Sequence, residues 1–134
     1  MCVNNTDGNF HNQKIENVAD LIKYIKKLTN ISIFANSNSG VIDNCSLKLN
    51  AQINANGRSF VSAFANKNTG NIQNCEVVKD SLINVKDANV GVIAITNDID
   101  GKIKNCVNNA SVLQTSSLNV LSPSVGGIAL ANYG

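Results

Sequence analysis

Three cysteines recur in one context along the chain, as Asn44-Cys45, Asn74-Cys75 and Asn105-Cys106, at spacings of 30 and 31 residues. Cysteines so arranged could ligate a soft metal, form a disulfide, or fill a core as free thiols. If the segments that carry them stack as neighbouring strands, successive sulfurs lie about 5 Å apart or less. One zinc cannot then hold all three. Two Zn–S bonds of about 2.3 Å span at most about 4.6 Å, while the outer pair stands about 10 Å apart. A neighbouring pair has a Cα spacing compatible with a disulfide, which would leave one thiol over. We expect buried, reduced thiols packed as small apolar groups, and no metal. Cys2 stands alone in a polar segment.

The remaining candidates for chemistry are scattered. His11 is the only histidine, so a histidine-based metal cluster is excluded and a triad could be built only around it. Its polar surroundings predict a surface residue remote from the rest. Carboxylates stacked in neighbouring coils would suit polysaccharide chemistry, but the aligned columns read Asp43, Gln73, Lys104 and Asn50, Asp80, Ser111, with no two acids together. Asn97-Asp98-Ile99-Asp100-Gly101 is the one dense acidic spot. It coincides with a one-residue insertion and is expected to be a lengthened surface turn rather than a calcium loop. Arg58, in Asn56-Gly57-Arg58-Ser59, reads as a solvated turn residue. Serines 32 and 62 give way to Ile93 and Ile128, so no ice-binding threonine ladder forms. No catalytic, metal-ligating or cofactor-binding residue is assigned.

What must position these residues is a repeat. Ile31-Ser32-Ile33-Phe34-Ala35-Asn36 precedes Gly40-Val41-Ile42-Asp43-Asn44-Cys45. Val61-Ser62-Ala63-Phe64-Ala65-Asn66 precedes Gly70-Asn71-Ile72-Gln73-Asn74-Cys75. Val92-Ile93-Ala94-Ile95-Thr96-Asn97 precedes Gly101-Lys102-Ile103-Lys104-Asn105-Cys106, and a fourth unit begins at Gly127-Ile128-Ala129-Leu130-Ala131-Asn132. After Cys45 every second residue is apolar (Leu47, Leu49, Ala51, Ile53, Ala55), the period of a strand with one buried face. Ile42 has the opposite parity, so a corner is expected at Asn44, and likewise at Asn74 and Asn105, whose amides can stack. Gly40, Gly70 and Gly101 read as turn residues with positive φ. Phe34, Phe64, Ile95 and Leu130 form a column of large apolar residues, although both faces of that strand are apolar.

The Gly-x-Ile-x-Asn-Cys units, with Gly126-Gly127-Ile128-Ala129-Leu130-Ala131-Asn132-Tyr133-Gly134, resemble the GLUG-repeat family over residues 31–134. Coils one to three are divergent, since their paired glycines are missing or reduced to Gly91. The resemblance implies an all-β fold, a right-handed parallel β-solenoid of about three and a half coils. It further implies an extracellular or cell-surface setting, with a host or cell-surface glycan or protein as partner.

Residues 17–29 carry Val18, Leu21, Ile22, Ile25 and Leu28 at helical spacing. Asn17 can cap that segment, acids lie early and Lys23, Lys26 and Lys27 late. An α-helical cap over the first coil is therefore expected, giving an amino-terminal segment 1–30 and repeats at 31–60, 61–91, 92–126 and 127–134, the last incomplete. No polar cap follows Gly134, so the chain is expected to be a fragment that self-associates through its carboxyl-terminal coil. With 43% hydrophobic residues, 4% aromatic, 15% charged and a net charge of +2, nothing points to nucleic acid. There is neither an apolar run long enough for a transmembrane helix nor a visible signal peptide. These features suggest a non-enzymatic structural or adhesive segment of a larger surface-exposed or secreted protein. The alternative is a carbohydrate-binding or carbohydrate-active β-helix whose active residues lie elsewhere.

Overall fold

A computed structural model describes residues 4–5, 9–24, 30–115 and 124–134, and among these it contains strands and turns but no helix. The chain passes repeatedly through the same strand positions. The first pass comprises β1 (Asn4–Asn5), β2 (Asn9–His11), β3 (Lys14–Tyr24) and β4 (Asn30–Ser32). The second is β5 (Ala35–Asn38), β6 (Val41–Asp43) and β7 (Ser46–Ser62). The third is β8 (Ala65–Asn68), β9 (Asn71–Gln73), β10 (Glu76–Val77) and β11 (Leu82–Gly91). The fourth is β12 (Ala94–Asn97), β13 (Lys102–Lys104), β14 (Val107–Asn108), β15 (Ser111–Thr115) and β16 (Val125–Gly126), followed by β17 (Ala129–Asn132).

Three sheets result. One runs β1-β5-β8-β12-β17, a second β2-β6-β9-β13, and the third gathers β3, β4, β10, β11, β14, β15 and β16 around and beyond β7. The pairing is parallel throughout, between residues about one repeat apart, such as Ile42 with Ile72 and Ile72 with Ile103. That arrangement is compatible with a parallel β-solenoid.

Strand period explains which side chains meet. Cys45, Leu47, Leu49, Ala51 and Ile53 of the β7 pass are buried, while Lys48, Gln52 and Asn54 between them are exposed. Ile42 and Ile72 are fully buried beneath the second sheet. Phe34 and Phe64 are buried too and stack with ring centroids 4.9 Å apart, and Phe10 meets Phe34 edge-on at 5.8 Å. Phe64→Ala is therefore expected to lower stability by about 3–5 kcal/mol, read from the shift of a urea unfolding curve. A loss below about 1 kcal/mol would mean that the stacked rings do not bear on the fold.

The expected helix is corrected: residues 17–24 belong to β3, which pairs with β7, and residues 25–29 lie outside the described residues. The register shows how a helical spacing fits a strand. Ile15, Val18 and Leu21 oppose Leu47, Leu49 and Ala51, so each three-residue step on β3 faces a two-residue step on β7. Two irregularities absorb the difference. Pairing supplies partners for a full row of β7 backbone N–H and C=O groups, which a helix laid across that edge cannot do. A lone thirteen-residue helix gains little to set against this. The amino-terminal segment is thus another pass of the repeat.

Two further expectations change. The large apolar column continues from Phe34 and Phe64 to Ile93 and Ile128, not to Ile95 and Leu130, because Ala94 pairs with Ala65 and Ala129 with Ala94. Asn50 pairs with Leu82 and Leu82 with Ser111, so Asp80 leaves its expected column for a turn.

Candidate functional site

Parallel, in-register stacking places like residues over one another, and amides so placed can bond along the stack. Asn38, Asn68, Asn97 and Asn132 occupy one register position. Asn38 Nδ2 donates to Asn68 Oδ1 at 2.7 Å, Asn68 Nδ2 to Asn97 Oδ1 at 2.8 Å, and Asn97 Nδ2 to Asn132 Oδ1 at 2.8 Å. The same amides hold the following turns, Asn68 donating to the Gly70 carbonyl and Asn97 to that of Gly101. Asn38, Asn68 and Asn97 are buried. This ladder was not expected, because two extra residues in the last turn displace Asn97 from its counterparts relative to the glycine.

The corner column behaves differently. Asn12, Asn44, Asn74 and Asn105 have φ of 55°, 53°, 55° and 51°, the left-handed conformation that asparagine tolerates. It is these corners, rather than Gly70 and Gly101, that take positive φ. Gly70 and Gly101 are needed for close approach. A Cβ on Gly70 would overlap the Gly40 carbonyl oxygen, and one on Gly101 the Asn68 carbonyl oxygen and Asn97 Oδ1. The corner amides stack only in pairs, Asn44 on Asn12 at 2.7 Å and Asn105 on Asn74 at 3.3 Å. Asn74 turns instead to Asp43 Oδ1 at 2.9 Å.

His11 is not remote from the repeat. It pairs in register with Asp43, its Nδ1 3.6 Å from Asp43 Oδ2, and the column runs on through Gln73 to Lys104. The Asn74 side-chain amide, then that of Gln73, then His11 hold the Asp43 carboxyl below the usual range. The pair is solvated and therefore weak.

Cys45 and Cys75 are buried free thiols, and Cys106 is half-buried on the last full pass. Each donates to the carbonyl two residues back, at 3.3 Å to Asp43, 3.1 Å to Gln73 and 3.4 Å to Lys104. The thiols of Cys106 and Cys45, with burial, push the Cys75 thiol up and keep it protonated. In native thiol titration Cys106 should react first and Cys45 and Cys75 only on unfolding. Equal, immediate reaction of all three would contradict the buried column. Cys2 lies outside the described residues.

Asp98 serves its own turn: its Oδ1 accepts the Ile99 N–H at 2.8 Å and its Oδ2 lies 3.5 Å from Lys67 Nζ. The Ile99 N–H first, and Lys67 after it, hold the carboxyl below its ordinary value. This turn is longer than its predecessor by two residues, not one, since Asn97 pairs with Asn68 but Lys102 with Asn71. Asp98 and Asp100 form no group of three potential metal ligands among the described residues. Arg58 falls within β7 rather than in a turn, and its side chain lies outside the described residues.

Two grooves remain. One, of about 460 Å³, lies beside Gly101, Lys102, Ile128 and Asn132. The larger, about 630 Å³, crosses β5, β8 and β12 and is bounded by Asn36, Ser37, Phe60, Thr96, Asp98 and Tyr133, among others. Comparison with family models, curated proteins and solved structures finds no match to the chain.

Proposed function

We propose that this chain is a non-enzymatic structural and adhesive repeat segment of a larger surface-exposed or secreted protein. In this reading its units are divergent GLUG repeats, wound as a right-handed parallel solenoid. One observation carries the reading: polar side chains run along the stack in columns, with Asn38, Asn68, Asn97 and Asn132 joined from pass to pass, instead of converging on a point. Ladders of this kind suit a rod that presents a surface, because the buried amides of Asn38, Asn68 and Asn97 find their partners within the scaffold. The larger groove favours the second reading, a carbohydrate-binding or carbohydrate-active β-helix. The immobilised chain should retain surface glycans or matrix proteins from a defined array and release them unaltered. Release of shortened sugar chains would replace the adhesive reading with the carbohydrate-active one.

A further inference from the structure

We infer that the groove across β5, β8 and β12 is a binding site for a neutral oligosaccharide, an inference that rests on the adhesive reading and names its ligand class. The buried amides of Asn38, Asn68 and Asn97 are engaged along their column, but here polar groups remain open. Asn36 accepts the Asn66 amide on its Oδ1 at 2.8 Å, and its own Nδ2 has no partner among the described residues. The hydroxyls of Ser37 and Thr96 likewise have none among those residues. Ser37 pairs with Lys67 and Lys67 with Thr96, so these residues sit on three successive passes, about 4.8 Å apart from strand to strand. Open donors and acceptors are thereby presented in a line along the stack, as a chain of sugar hydroxyls requires.

The walls supply the apolar part. Tyr133 is 67% exposed at one side, and Phe60, partly buried, lies at another. Aromatic rings with an open face pack against the C–H face of a pyranose while the tyrosine hydroxyl stays free to bond. A volume of about 630 Å³ lies in the range of small-ligand clefts and admits a short oligosaccharide. Charge decides the class. Among the described residues that line the groove the one cation, Lys67, faces the one carboxylate, Asp98, at 3.5 Å, and this balance favours a neutral sugar over a sulfated or carboxylated one.

The test uses the full chain on an array of neutral glucan, mannan and galactan oligosaccharides, with sulfated and uronate-containing chains alongside. Binding to a neutral member is expected, weakened about tenfold by Tyr133→Ala and by the double change Ser37→Ala, Thr96→Ala. Both substitutions are at the surface, and an unchanged unfolding midpoint confirms that each variant is folded. Neutral-glycan binding unaffected by either variant overturns the site. Preference for anionic chains, lost in Lys67→Ala, overturns the ligand class. Retention of matrix proteins with no glycan bound overturns this inference and leaves the adhesive reading standing, whereas no retention of any kind removes both.

Discussion

Asn68→Leu should reduce the unfolding free energy on the order of 4 kcal/mol, with little change in the denaturant slope. The substitution keeps the branched shape and leaves no cavity, so its effect is that of the lost amide together with two bulkier methyl groups. Removing the amide leaves Asn97 Oδ1 without its donor and Asn38 Nδ2 without its closest acceptor, both in buried side chains. Each unsatisfied buried group costs about 1–3 kcal/mol. The carbonyls of Gly70 and Lys102 lose a donor as well, but Gly70 keeps the Lys102 N–H. Asn132→Leu, at the exposed end of the same column, should cost about 1 kcal/mol or less. Equal costs for Asn68 and Asn132 would show that the ladder contributes nothing by being buried.

Gly70→Ala should be as damaging, at about 3–5 kcal/mol, and through a different cause. The added methyl would overlap the Gly40 carbonyl oxygen and lie 2.7 Å from the Ser39 carbonyl carbon and 2.9 Å from its oxygen. All three obstacles are backbone of the preceding pass. They cannot withdraw without parting β6 from β9, whose separation is set by their hydrogen bonds. Gly127→Ala is the internal comparison: nothing lies within 4 Å of its added Cβ, so it should be neutral or stabilise by up to about 1 kcal/mol. Similar destabilisation by both changes, in chemical denaturation, would mean that close approach is not why Gly70 is a glycine.

The repeat was legible wherever its period was intact. Three Gly-x-Ile-x-Asn-Cys units and the alternation after Cys45 give the parallel registers of Ile42, Ile72 and Ile103 and the buried face of β7. Reading failed where length changed. Two added residues at Asp98-Ile99-Asp100, offset by irregular pairing between β7 and β11, shift the apolar column by two residues and hide the Asn38–Asn132 ladder. The first pass was missed because Asn9-Phe10-His11-Asn12 follows Gly8 in the repeat's own pattern, but Phe10 stands for isoleucine and Gln13 for cysteine. With that pass unseen, the spacing of Val18, Leu21, Ile22, Ile25 and Leu28 looked helical. Only the unpaired edge of β7 dictates otherwise, and an edge is a property of the assembled sheet. The groove was illegible for the same reason, since Asn36, Thr96 and Tyr133 are brought together by stacking alone.

The central claim is that successive passes stack in parallel register, and interstrand nuclear Overhauser contacts test it most directly. In isotope-labelled protein, contacts should link the side-chain amides of Asn38 with Asn68, Asn68 with Asn97, and Asn97 with Asn132, and the methyl groups of Ile42 with Ile72 and Ile72 with Ile103. Residues 17–24 should show strand contacts to residues 49–54 of β7. Close Hα–Hα contacts of antiparallel pairs between these strands, or helical contacts three residues apart through residues 17–24, would contradict the account.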